Sequence, residues 1–122
     1  MAEAILNGVL EKKLAAPADI AVVEPVEARR KYLSKQYSVT VTDDAKTAAA
    51  TRDIVVLAVK PQDLPTAMAS FKGILTASQA VLSIVAGVKI GAIATGLAHP
   101  AVIRVMPNTP AQIGAAASVW TA

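Results

Sequence analysis

Residues 53–59, Asp-Ile-Val-Val-Leu-Ala-Val, limit what this chain can fold into more than any other segment. Every position after Asp53 is apolar, and most are β-branched. That is the pattern of a strand covered by helices on both faces. A second such run, Ala-Val-Leu-Ser-Ile-Val, occupies 80–85, and shorter strands are expected at 20–24, 38–42, 101–105 and 116–120. Between them the apolar period changes to that of a helix, over 2–14, 26–36, 45–51, 64–71 and 89–97. Asp63 is placed to cap the fourth helix, with Pro65 tolerated in its first turn. Alternating strands and helices at this spacing predict βαβ units in one mainly parallel, doubly wound α/β sheet.

Composition narrows the function. At 122 residues the chain is one domain at most, with 54% hydrophobic residues and only 3% aromatics. The excess charge of +3 is spread along the chain, densest at Arg29-Arg30-Lys31, with few aromatics interleaved; a nucleic-acid partner is not expected. There is no cysteine, which excludes disulfides, thiolate metal sites and a cysteine nucleophile within the chain. The single histidine, His99, excludes a multi-histidine metal site and is expected at the surface. Glu3 and Glu11 interrupt the first apolar run, so no secretory leader is read, and no stretch reaches the ~18 apolar residues of a membrane span. A soluble, cytoplasmic chain is expected.

In doubly wound sheets ligands bind beyond the carboxyl ends of the strands, so polar residues just after strands carry the functional reading. Glu24 ends the first strand, where an acidic side chain accepts hydrogen bonds from ribose hydroxyls; a solvated charge at a strand end is the alternative. Arg29 and Arg30 follow, as candidates for a 2′-phosphate or as helix surface. Ala58-Val59-Lys60-Pro61 combines small residues, which permit close approach of a ligand, with a proline that fixes the turn. Ala86-Gly87 repeats that opportunity one strand later. In Arg104-Val-Met-Pro-Asn-Thr-Pro110 two prolines bracket Asn108 and Thr109, stiffening a polar loop just past a strand. No catalytic proton-transfer group and no metal ligand set can be assigned.

Three strings, Leu57-Ala-Val-Lys-Pro-Gln62, Val85-Ala-Gly-Val88 and Val102-Ile-Arg-Val-Met-Pro-Asn-Thr-Pro110, resemble in this order the N-terminal domain of pyrroline-5-carboxylate reductase. The likeness covers essentially the whole chain. The resemblance implies an oxidoreductase that passes hydride from NADPH or NADH to a small cyclic imine, in proline biosynthesis. It places Ala58, Val59, Lys60 and Pro61 along the cofactor's ribose and pyrophosphate, Ala86 and Gly87 near the nicotinamide, and Asn108 and Thr109 at the reactive end. It also implies a helical C-terminal domain through which family members oligomerise.

The sequence departs from the family's pattern at three points. Met1 stands where the methionine of a Gly-x-Gly-x-Met turn belongs, and the family's helical second domain would come after Ala122, so the chain reads as truncated at both ends. The Rossmann-like sheet would then lack its first, central strand, with residues 1–122 a partial dinucleotide-binding domain. Ala45 occupies a position where the family often has asparagine. A lost central strand should leave backbone groups unpaired at ~1–3 kcal/mol each if buried. The neighbouring strands would close up, another chain would fill the slot, or the product would be unstable. On this reading the isolated chain binds NADPH weakly and does not turn over the imine. Two other readings stand beside it: a non-catalytic nucleotide-binding remnant or interaction module, and a hydroxyacid dehydrogenase, against which the Arg104–Pro110 string argues.

Overall fold

A computed structural model describes the backbone of residues 2–107 and 118–121 and the side chains of residues 2–106. Helix α1 (Ala2–Glu11) opens the chain and ends earlier than the sequence pattern suggests, because Lys13 turns into the left-handed region at φ 54°. Strand β1 (Ala21–Val23), helix α2 (Glu27–Tyr37) and strand β2 (Thr40–Thr42) form a parallel crossover unit, with Ala21 opposite Thr40 and Val23 opposite Thr42. Ser38 closes α2 in the left-handed region at φ 57°.

Helix α3 (Ala45–Ala49) is short because only a few small residues separate its cap from the next strand. Asp44 is that cap: its carboxylate accepts from the Lys46 amide at 3.2 Å and from the Thr47 hydroxyl. Strand β3 (Ile54–Leu57) follows, then α4 (Leu64–Phe71), β4 (Ala80–Ser83), α5 (Ile90–Leu97) and β5 (Val102–Pro107). Strand β6 (Ser118–Thr121) returns antiparallel, with Arg104 opposite Thr121 and Pro107 opposite Ser118. The expected short fifth strand therefore runs on through Met106 and Pro107, because β6 pairs with its far end. Asp63 precedes α4 but makes no side-chain cap bond; Pro65 lacks an amide there, which reduces the need for one.

The strands form two ladders, β1-β2 and β3-β4-β5-β6. The doubly wound α/β class is as expected, and the two ladders stand unbonded where a single continuous sheet would have a central strand. Both ladders nevertheless line one core. Val23 of β1 packs against a cluster that includes Val55, Leu57, Val81, Ile93, Leu97 and Val102. Val81 and Ile93 are wholly buried, so α5 and β4 form the centre of the core. Gly96 allows α4 and α5 to pack closely: a Cβ there would lie 2.7 Å from the Met68 sulfur.

The burial of β3 corrects the sequence reading. Val55 and Leu57 face the α4–α5 layer, but Ile54 and Val56 are 60% and 41% exposed. An uninterrupted apolar run predicts burial on both faces, yet among the described residues helices cover one face of β3 only.

Candidate functional site

The site is built from the turns that follow β1, β3 and β4. Strands β3 and β4 are paired in parallel, with Leu57 opposite Ser83, so the segments after them emerge on one edge. Ala58 is half-buried at the end of β3, and Val59, Lys60 and Pro61 are exposed beyond it. Pro61 starts a single 3₁₀ turn whose first bond is the Asp63 amide to the Lys60 carbonyl at 2.9 Å. That bond fixes where Lys60 leaves the sheet.

One strand later the Val85 amide donates to the Ser83 hydroxyl at 3.2 Å, which bends the chain as β4 ends. Ser83 itself is wholly buried. Ala86 and Gly87 then form an exposed turn in which Gly87 holds φ 74°. A side chain there would be strained by the backbone, although a Cβ would meet no protein atom within 4 Å. The space above Gly87 is open to a ligand, so Ala58–Pro61 and Ala86–Gly87 are brought to one accessible, small-residue edge.

Glu24 follows β1, in the other ladder. Its amide donates to the Thr42 carbonyl at 2.9 Å, and its carboxylate accepts from the Val26 amide at 3.0 Å. Only one of its oxygens is used there, so the second retains acceptor capacity toward the solvent edge. Residues Asn108 and Thr109 lie outside the described residues.

The two arginines beside Glu24 are committed to the protein. Arg30 turns back onto the chain, donating to the carbonyls of Glu24 at 2.9 Å and Pro25 at 2.7 Å. Arg29 pairs with Glu3 of α1 and lies over the Tyr32 ring at 5.0 Å. The Arg29 hydrogen bond outweighs a desolvation effect and, with Tyr37, holds the Glu3 carboxyl below its usual range. The same pair raises Arg29. These contacts join α1 to α2, and a sequence pattern gives no sign of a pairing 26 residues apart.

Sequence reasoning missed the opposite end of the sheet. The Gln79 amide donates to the carbonyls of Ala49 and Arg52, each at 2.6 Å, and its side-chain oxygen accepts from the Thr76 amide at 2.8 Å. His99 Nε2 lies 2.7 Å from the Gln79 carbonyl. Both residues are 5% exposed, so His99 is a core histidine and not the surface residue its proline neighbour suggests. The ring is buried because the turn after α5 passes beneath β4.

Among the described residues no group of three or more His, Cys, Asp or Glu side chains is placed to hold a metal ion. Among these residues, too, no helix is long and apolar enough to cross a membrane. Open small-residue turns beyond parallel strands, an acceptor at the end of β1 and an exposed lysine beyond β3 suit an elongated ligand with hydroxyl and phosphate groups.

Comparison with known proteins agrees with that chemistry and with the resemblance read from the sequence. The chain is 47% identical over 115 residues to the pyrroline-5-carboxylate reductase of Synechocystis sp., spanning 94% of this chain and 43% of that enzyme. It is 33% identical over 116 residues to the enzyme of the same name from Escherichia coli, covering 94% of this chain and 43% of the relative. The chain thus spans less than half the length of the curated relatives it matches. Among solved structures, a pyrroline-5-carboxylate reductase from Coxiella burnetii superposes with a TM-score of 0.89 at 30% identity, over 98% of this chain and 44% of that one. The fold is also that of the Plasmodium falciparum pyrroline carboxylate reductase solved with NADP bound, at a TM-score of 0.80 and 22% identity over 98% of this chain and 43% of that one. Residues 1–87 match the family model described as NADP oxidoreductase, coenzyme F420-dependent, and the chain belongs to that family.

Proposed function

We propose that residues 1–122 act as the dinucleotide-binding portion of a pyrroline-5-carboxylate reductase in L-proline biosynthesis. The observation that carries this reading is the 47% identity to the Synechocystis enzyme across nearly the whole chain. The open edge after β3 and β4 gives it a place to act. NADPH or NADH bound there supplies the hydride that reduces the imine carbon.

This chain's residues orient and hold the cofactor. Lys60 supplies positive charge beside the pyrophosphate, while Ala58, Val59 and Pro61 let the backbone approach it closely. Gly87 and Ala86 leave room for the nicotinamide ring. Glu24 offers its second carboxylate oxygen to the adenosine ribose. Because Arg29 and Arg30 are engaged elsewhere, Glu24 is the charge that faces that ribose, which favours NADH over NADPH through repulsion of a 2′-phosphate. Asn108 and Thr109 are proposed to contact the reactive end. The protein has mainly to align donor and acceptor and exclude water, which requires no proton-transfer constellation on this edge.

The substrate is a small cyclic imine, and the reaction is placed in the cytoplasm. Full-length relatives are proposed to oligomerise through a C-terminal helical domain. The 115 aligned residues correspond to 43% of the Synechocystis enzyme, and turnover by this portion alone is not expected. Titration of the purified chain with NADH and with NADPH, followed by cofactor fluorescence, tests the binding assignment. Saturable binding weakened by Lys60→Ala supports it; no binding of either cofactor to a folded chain defeats it. Measurable imine reduction by the isolated chain would instead overturn its expected inactivity.

A further inference from the structure

Arg29 and Arg30 follow the same strand, but they are tied down in different ways. Arg30 donates from one nitrogen to the carbonyls of Glu24 and Pro25, so it braces the backbone that leads from β1 into α2. Arg29 is held by a side chain from another helix. Its Nη2 donates to Oε1 of Glu3 in α1, and the pair is open to solvent, with the two side chains 48% and 35% exposed. A backbone brace is part of the fold. An exposed ion pair is exchangeable, because water and other anions compete for it at small cost.

Glu3 is the fixed member of that pair. It stands in the first turn of α1, where the positive end of the helix favours a carboxylate. Its second oxygen, Oε2, accepts from the Tyr37 hydroxyl at 3.0 Å. Both oxygens are therefore engaged by α2. Arg29 is the movable member, a long side chain lying over the Tyr32 ring at 5.0 Å. It also stands close to the proposed ribose acceptor. The Glu3 hydrogen bond is the chief cause of its raised pKa, and the Glu24 charge contributes too, so Glu24 and Arg29 are within electrostatic reach. In dinucleotide-binding folds the acid after this strand takes the ribose hydroxyls, and a nearby arginine takes a 2′-phosphate.

We propose that Glu3 is a positioning residue for cofactor choice: by holding Arg29 on α1 it withholds a cation from a 2′-phosphate and leaves Glu24 to select NADH. The inference rests on the reading of the open edge as a dinucleotide site. It adds that the selection is made from outside that edge, by a residue that acts only through Arg29. NADPH recruits Arg29 only by displacing Glu3, whereas NADH needs no such exchange.

Dissociation constants for NADH and NADPH, followed by cofactor fluorescence at fixed ionic strength, test this in the complete chain. Glu3→Ala releases Arg29, and the ratio of the NADPH constant to the NADH constant is expected to fall about two- to fivefold, the scale of an exposed ion pair. A purely structural role for Glu3 would move both constants together and leave the ratio unchanged. Glu3→Ala combined with Arg29→Ala should restore the parent ratio, because Arg29 supplies the gain. Glu3→Gln keeps the side-chain length and one acceptor oxygen, so it should shift the ratio the same way by less, and it serves if alanine disturbs α1. An unchanged ratio in both Glu3 variants, with NADH still bound, overturns the inference and leaves the dinucleotide reading standing. So does a gain that survives in the double variant, which would trace it to the lost negative charge alone. No binding of either cofactor to the folded parent chain removes the dinucleotide reading and this inference with it.

Discussion

The two ends of the β3-β4-β5 sheet are built on opposite principles. At the amino end, Gln79 joins α3, the turn before β3, its own turn and the α5–β5 connection through bonds of 2.6–2.8 Å, with almost no exposure. At the carboxyl end the chain turns through exposed residues with open space above Gly87. A buried polar network is stabilising only when every member is satisfied, and it then fixes the strands in one arrangement. With the strands fixed from below, the turns above can stay open to a ligand without loosening the core.

The largest test of that division is Gln79→Ala. It strands the Thr76 amide and two carbonyls, at ~1–3 kcal/mol for each group left buried without a partner. A loss of ~3 kcal/mol or more is expected, seen as a marked fall in the thermal midpoint. Cofactor affinity measured below that midpoint should be unchanged, and a parallel loss of both would show that the two ends are not separable. Ile93→Ala comes next, since it empties a fully buried position between α5 and β4. It should cost ~2–5 kcal/mol in chemical denaturation.

Gly87→Ala probes the open end. The substitution forces a side chain into φ 74° and should cost ~1–2 kcal/mol. It should also weaken cofactor binding more than Gln79→Ala does, which makes these two variants a direct contrast. Gly96→Ala, although half-buried against Met68, should be nearly neutral. The clash is with the flexible end of that methionine, and alanine favours the helix by ~1 kcal/mol.

The smallest effect concerns acid. The carboxyls of Glu3 and Asp44 are both held below their ordinary values, Glu3 chiefly by Arg29 and Asp44 chiefly by the Thr47 hydroxyl. A depressed folded-state value gives stability that is complete above the unfolded value and disappears as pH falls through the folded one. Melting curves below about pH 4.5 should therefore decline less steeply in Glu3→Gln than in the parent chain. At neutral pH this substitution should cost only a few tenths of a kcal/mol, as expected of a solvent-exposed ion pair.

How much of this was legible in the sequence differs between the same two ends. The turns after strands were readable because their residues are special where they stand: a proline beyond β3, a glycine at positive φ beyond β4, an acid after β1. The succession of strands and helices followed from periodicity, since a buried parallel strand and a helix repeat differently. The amino end was not readable. Gln79 and His99 are ordinary polar residues whose partners lie 20–30 residues away, and only the packing of turns beneath β4 brings them together. The exposed face of β3 was misread for a related reason: an apolar run states that a strand can be covered twice, and the cover depends on what other segments arrive. Lys13, which cuts α1 short, is another case, because no glycine or proline marks the stop.

The burial of His99 makes it useful in a way unrelated to chemistry at the open edge. It is the chain's only imidazole, and its ring nitrogen touches the backbone of the residue that ties the amino end together. Its ring resonances are thus a single, uncrowded spectroscopic signal that belongs to that end alone. Ligand titrations that leave this signal still while shifting residues around Gly87 would watch one end of the sheet work as the other holds it in place.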